Sequence, residues 1–270
     1  MRTAGHFTRL SSIVLGMRRI LARPRGTALA DLPAADAELE ETLDNLDDAD
    51  NYAAWIFELM APYLGDELLE VGAGHGTFTE ILAPKAKRVV ASEISGRCVG
   101  ILRQRFSDDP SVEVLHGGID VAASHGPFDT AILINVLEHI QDDDGALREL
   151  AGLLKPGGRV VLWVPAFSLL YSDFDRRIGH HRRYRRTTLR AQLSHAGYQV
   201  QDVRYVNSVG AIAWLVVARF LRRTPTSGAP VRIFDRYFVA VLKQLEHRWR
   251  PPFGQSIFAV GAWPRDSLDE

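Results

Sequence analysis

Between Leu68 and Thr77 the chain reads LLEVGAGHGT, with glycines at 72, 74 and 76. A residue without a Cβ lets backbone approach a ligand closely, and an apolar run before the loop and a helical pattern from Phe78 place it where a strand passes into a helix. The glycines fall at every second residue, and Thr77 stands where the dinucleotide fingerprint wants a further glycine or alanine. Glu93 ends the next apolar run, RVVAS. At the carboxyl edge of a parallel sheet its carboxylate could accept hydrogen bonds from both hydroxyls of a ribose; the plainer alternative is a surface acid at a strand end. Further on, residues 176 to 186 hold six arginines and two histidines. Arg182, Arg183, Arg185 and Arg186 could clamp a phosphate or carboxylate, or Asp173 and Asp175 could neutralise the segment internally.

These residues need elements to hold them. From Leu68 onward the runs LLEV, RVVAS, VEVL, DTAILIN and RVVLWV alternate with amphipathic segments, the pattern of repeated βαβ units around a parallel sheet. The turn Lys155-Pro156-Gly157-Gly158 is expected to stop a helix and deliver the chain into RVVLWV. A helix after Thr187 should end at Gly197, followed by a strand, YQVQDVRYV, whose alternation is imperfect. Residues 209 to 223 are apolar and then basic, TPTSGAP reads as a turn, and 231 to 249 is amphipathic, which together suggest a helical insertion before a last strand, QSIFAVGAW. Ahead of the sheet, a helix from Asp50 would bury Trp55, Ile56, Leu59, Met60 and Tyr63 and end at Pro62 and Gly65.

The glycine loop and Glu93 together resemble class I S-adenosylmethionine-dependent methyltransferases, and the likeness continues through HGGID at His116 to Asp120, INVLEHI at Ile134 to Ile140, and LLKPGGRVVLWVPA. The alternate glycines favour adenosylmethionine over NAD. The expected fold is a doubly wound, Rossmann-like α/β domain with a seven-stranded mixed sheet. Its divisions are a basic leader at 1–30, an N-terminal helical cap at 31–66, a cofactor-binding core at 67–206, a helical insertion or lid at 207–252, and the last strand and tail at 253–270. The resemblance implies that Gly72 and Gly74 contact the methionine portion, Glu93 the ribose and Asp120 the adenine edge, with Asn135 and Leu137 closing the pocket. Glu70, Ala73, Ile94 and Ile119 flank these positions and complete the expected cofactor set. The segments YSDFDRRIGHHRRYRR and PFGQSIFAVGAW extend the likeness to a bacterial small-molecule-type subgroup with a GHHRRY segment, whose substrates are mostly unassigned.

Methyl transfer is an in-line displacement at a sulfonium, so the site must align acceptor and methyl and exclude water. A phenol or alcohol acceptor benefits from a base, and His139, His180 and His181 are the candidates. His180 and Tyr184 are four apart and would share a face if their segment is helical, which adds Tyr184 to the expected catalytic set. Tyr52, Tyr171, Asp175 and Arg183 are the expected acceptor contacts. No clustered ligand spacing appears, so no metal is expected.

Composition limits the partners. The 46% hydrophobic and 24% charged shares are those of a globular domain, and a formal net charge of −1 gives no global pull on polyanions. The expected partner is a small-molecule acceptor, anionic or partly apolar, and not nucleic acid. An RNA or protein methyltransferase using the arginine segment, a non-catalytic cofactor-binding scaffold and a nicotinamide dehydrogenase are the rival readings. The single cysteine, Cys98, permits no internal disulfide and fits a reducing, cytoplasmic setting. Six arginines and no acid in the first 25 residues suit a loosely attached leader or a helix touching a membrane surface. The stretch VGAIAWLVVARFL is short for a span and contains Arg219, so it reads as a core helix or as a lid over an apolar acceptor.

Overall fold

The computed structural model describes residues 49–216 and 234–265. The basic leader, the part of the expected helical cap before residue 49, Arg219 with the TPTSGAP turn, and the tail from residue 266 lie outside them. Helix α1 (Asp50–Met60) precedes strand β1 (Glu67–Val71), followed by α2 (Thr77–Leu82), β2 (Arg88–Glu93), α3 (Gly96–Arg105), β3 (Val112–His116) and β4 (Phe128–Ile134). Then come α4 (Asp143–Gly152), β5 (Leu154–Pro165), α5 (Asp173–Arg177), α6 (Arg186–His195) and β6 (Gln199–Val206). Helix α7 (Ser208–Trp214), a π-helical turn (Phe234–Val239) running into α8 (Ala240–Arg248), and β7 (Ser256–Ala262) complete the order.

The seven strands form one sheet in the order β3-β2-β1-β4-β5-β7-β6, parallel except for β7, which runs antiparallel to both neighbours. This is the expected mixed, doubly wound sheet. Both faces are covered, so successive strand residues face different cores instead of alternating with polar ones. Leu68, Val89, Ile132 and Val161 join Ile56 and Met60 of α1, while Leu69, Val90, Leu133 and Leu162 join Leu147, Leu150, Leu189 and Leu193 of α4 and α6. The strand order reverses between β1 and β4, and in sheets of this kind the loops leaving the carboxyl ends there part to form a crevice.

Two local expectations change. Helix α4 ends at Gly152, before the Lys155-Pro156-Gly157-Gly158 turn; that turn is instead a bulge at the start of β5, where pairing jumps from Phe128↔Leu154 to Thr130↔Arg159. In β6 the apolar residues skip from Val200 to Val203 because the pairing slips between Val200 and Asp202, which accounts for the imperfect alternation. Helix α1 buries Trp55, Ile56 and Met60 as expected, and Trp55 also packs on Val239 and Leu242 from the insertion. Among the described residues no helix is long and apolar enough to cross a membrane.

Candidate functional site

The glycine loop leaves β1 at the crevice. Gly72 has φ +71, and a Cβ there would lie 2.5 Å from Val136 Cγ2, in the turn after β4; Gly76, at φ +87, would put one 2.7 Å from Phe106. The loop is therefore pressed between two neighbours in a backbone conformation that side chains resist, which explains glycine at both positions. Gly74 N–H donates to Glu93 Oε2 and Ser95 N–H to Glu93 Oε1, each at 2.8 Å. Two backbone donors thus fix a carboxylate that is 8% exposed at the end of β2. Beside it Ile94 stands 75% exposed, a bare apolar side chain at a polar edge, while Ile119 is buried and Asp120, itself exposed, begins a short turn after β3. An orienting carboxylate next to an uncovered apolar ledge suits an adenosine, so the residues present fit the expected cofactor.

Glu70, at the end of β1, lies beneath the loop and accepts a hydrogen bond from Thr79 Oγ1 at 2.6 Å. Burial pushes its carboxyl up to about 7 and Glu93 adds to this, against the Thr79 hydrogen bond and the Arg105 charge. Ala73 is buried beside it.

Three non-glycine residues among those described have positive φ: Asn135 at 54°, Phe167 at 58° and Asn207 at 62°. They lie within two residues of the ends of β4, β5 and β6, so the strained backbone is gathered at the carboxyl edge, where strain accompanies binding function in many folds. After Asn135 the chain makes a tight turn, Leu137–His139, in which Leu137 enters the core and Glu138 is fully buried. After Phe167 the segment runs through α5 and returns past His180 to a short parallel bridge between Ala166 and Tyr184.

That returning segment is organised by Asp175, which is fully buried. Its Oδ1 accepts from Arg183 Nε at 2.7 Å and pairs with His180 Nδ1 at 2.9 Å, and its Oδ2 accepts from Ser172 N–H at 2.8 Å. Burial alone would raise the carboxyl, but the His180 hydrogen bond and Arg183 hold it down at about 2. The His139 and His180 rings meet edge to face at 4.6 Å. Burial, with His180 and His181 nearby, holds His139 down at about 4, so it is a neutral imidazole at physiological pH.

The structure sorts the remaining expected residues. His180 and Tyr184 do not share a helical face, because residues 180–184 are not helical. Tyr184 is 3% exposed and its hydroxyl donates to Asp143 Oδ2 at 2.9 Å, which makes it a core residue turned away from the edge. Asp175 and Arg183 pair with each other, Arg182 pairs with Asp143, and Arg176 with Asp173, so much of the arginine segment is neutralised internally. Tyr171 donates to the His180 carbonyl at 2.7 Å, and His181 is exposed. Tyr52 packs edge-on against Trp163 and Trp55.

Helix α7 rises above this edge. Asn207 caps it, accepting from Gly210 N–H, and Glu246 of α8 accepts from the backbone N–H groups of Asn207 and Ser208 at 2.9 and 2.8 Å. Trp214 donates to the Leu170 carbonyl at 3.1 Å and stacks edge-on with Phe174, so the insertion touches the segment that carries His180. The apolar residues of α7 are not a core stripe: Ile212 is 52% exposed, and contact is made through buried Gly210 and Ala211.

Sequence reasoning missed Glu138. Its carboxylate, His139 and His180 present ligand atoms all within 4.8 Å of one another. No spacing rule could find this set, because His180 comes from the loop after β5 and the other two from the loop after β4. A depression of about 560 Å³ at the opposite, amino edge of the sheet is lined by Phe57, Leu64, Lys85 and Asp129; the Asp129 carboxylate is already held by Lys155 and two backbone N–H groups, so it does not compete as the site.

Residues 49–203 match the family model described as a methyltransferase domain. Over 54 residues the chain is 52% identical to ribosomal RNA small subunit methyltransferase A of Geobacter metallireducens, covering 20% of each chain. It is 31% identical over 156 residues to the ubiquinone biosynthesis O-methyltransferase of Xanthomonas euvesicatoria pv. vesicatoria, covering 52% of this chain and 65% of that one. The chain thus spans less than two thirds of the length of these curated relatives. A solved S-adenosylmethionine-dependent methyltransferase from Clostridium acetobutylicum shares the fold, with a TM-score of 0.54 at 12% identity over 96% of this chain and 100% of that one. The matched span takes in the glycine cradle, Glu93 and the turn after β4, and with the strand order it gives the conclusion that this chain belongs to the class I methyltransferase-domain family, whose cofactor is S-adenosylmethionine.

Proposed function

We propose that the chain transfers a methyl group from S-adenosylmethionine to oxygen or nitrogen of a small organic acceptor, a secondary metabolite or a lipid- or sugar-linked intermediate. Bound at the crevice, the sulfonium supplies an electrophilic methyl. The chain's own residues do the rest. Glu93 and the glycine loop orient the adenosine end, Asn135 and the turn after β4 bound the reacting end, and α7 with the Phe167–His180 segment limits water access and receives the acceptor.

The observation that carries the small-molecule reading is the internal pairing of the basic segment. Arg182 and Arg183 are bound to Asp143 and Asp175, and a guanidinium already held by a buried carboxylate has little left for a phosphate backbone. Ile212 and Leu169, exposed by 52% and 70% on elements beside the carboxyl edge, favour an acceptor with an apolar part. An alcohol or phenol acceptor must lose a proton as the methyl arrives, whereas an amine that is already neutral needs no base.

Incubation of the full chain with methyl-labelled donor and separate small-molecule, RNA and protein fractions tests the reading. Label should enter the small-molecule fraction. Label in RNA, with an affinity that falls steeply as salt rises, would replace this reading with a polynucleotide acceptor. Tight S-adenosylhomocysteine binding with no transfer to any fraction would favour a non-catalytic cofactor-binding protein.

A further inference from the structure

Glu138 is fully buried, and neither of its carboxylate oxygens has a hydrogen-bond partner among the described residues. Buried carboxylates are normally satisfied, and one left bare calls for an occupant. The groups facing it are imidazoles. His180 Nε2 lies 3.7 Å from Glu138 Oε1, and the His139 ring meets the His180 ring at 4.6 Å. The other His180 nitrogen, Nδ1, is paired with Asp175 at 2.9 Å. An imidazole whose far nitrogen donates to a carboxylate presents a fixed lone pair at the near one, the arrangement that orients metal-bound histidines.

We propose that Glu138, His139 and His180 bind one divalent first-row transition-metal ion, with Asp175 as the outer carboxylate that sets the His180 tautomer. Two imidazoles and one carboxylate suit zinc, cobalt, iron or manganese better than magnesium or calcium, which prefer all-oxygen sets. An ion about 2.1 Å from each donor atom subtends about 120° across the 3.7 Å between Glu138 and His180. Tetrahedral donors about 2.1 Å from an ion lie about 3.4 Å apart, so a pair near the 4.8 Å limit of this set must close by about 1 Å or more to share the ion. Three protein ligands leave coordination positions free, and the set sits in the loops after β4 and β5, beside the Val136 turn that presses on Gly72. An acceptor hydroxyl taking a free position would release its proton to water more readily. Its oxygen would then form the bond to the methyl carbon as the carbon–sulfur bond breaks with its electron pair left on sulfur. That last role rests on the methyl-transfer reading; ion binding does not.

The test is titration of the chelator-stripped full chain with Co²⁺, followed by its visible absorption and by displacement with Zn²⁺. One ion per chain is expected. Glu138→Gln and His180→Asn should each weaken binding at least about tenfold, Asp175→Asn about 10- to 100-fold through the tautomer of His180, and the exposed His195→Ala not at all. S-adenosylhomocysteine affinity and thermal unfolding, measured on the same samples, separate loss of ligand from loss of fold. Should the variants fail to fold, anomalous diffraction from zinc-soaked crystals of the parent locates the ion directly. No saturable Co²⁺ or Zn²⁺ binding, binding indifferent to Glu138→Gln and His180→Asn in folded protein, or an anomalous peak elsewhere overturns the proposal. Ion binding by a chain that ignores S-adenosylhomocysteine would sink the proposed function and leave the metal site standing.

Discussion

Glu70 offers a quantitative test of how the glycine loop is supported. Its carboxyl is raised by burial from an ordinary value of 4.5 to about 7. Below pH 4.5 folded and unfolded chains both hold the proton. Between 4.5 and about 7 the unfolded chain has lost it while the folded chain keeps it, so unfolding releases a proton and stability falls as pH rises. Above about 7 neither state holds it and the loss is complete. A shift of this size at about 1.4 kcal/mol per unit amounts to about 3 kcal/mol across the window. Glu70→Gln removes the titration while keeping an oxygen that can accept from Thr79 Oγ1, now at 2.6 Å. Urea unfolding of both proteins without cofactor, followed by tryptophan fluorescence at pH 5 and pH 8 and constant ionic strength, gives the difference directly. Because part of the window lies below pH 5, the variant should gain on the parent by about 2.5 kcal/mol between the two conditions. A difference that does not change with pH would show that burial does not hold this carboxyl neutral. A change of opposite sign would show that the Thr79 hydrogen bond and Arg105 outweigh burial.

The other predictions concern the cradle and the core. Gly72→Ala should lose about 1–2 kcal/mol to its left-handed backbone and about 1–3 more to the Val136 contact; adding Val136→Ala should restore only the second part, and strict additivity in the double-mutant cycle would deny the contact. Glu93→Ala should weaken S-adenosylhomocysteine binding by about 1–3 kcal/mol in calorimetry, since it removes a ribose acceptor and frees the Gly74 and Ser95 amides; unchanged affinity would exclude that role. Tyr184→Phe should lower stability by about 0.5–1.5 kcal/mol and leave methyl transfer at the parental rate, whereas a large fall in turnover with no loss of stability would return Tyr184 to the catalytic set.

Much of this was legible in the chain because the signals are local. Alternation of apolar runs with helical segments defines the parallel sheet, and a glycine loop between a strand and a helix marks its crevice without any knowledge of distant contacts. The slip in β6 was legible too, as the skip from Val200 to Val203, although only pairing with β7 identifies it as a bulge. The arginine segment shows the opposite case. Its charge is plain in the sequence, but whether guanidinium groups face a ligand or an internal acid depends on Asp143 and Asp175, brought to them by the fold of a loop with no periodicity. The shared face expected of His180 and Tyr184 failed for the same reason, since four-residue spacing has meaning only on a helix and the segment is not helical. The sequence by itself therefore determined the sheet, the glycine loop at its crevice and the acid at the end of β2, because each depends on residues close together in the chain. Only the tertiary structure decided which arginines are spent, and that Glu138 meets His139 and His180, because two loops from different strands must converge before those side chains become neighbours.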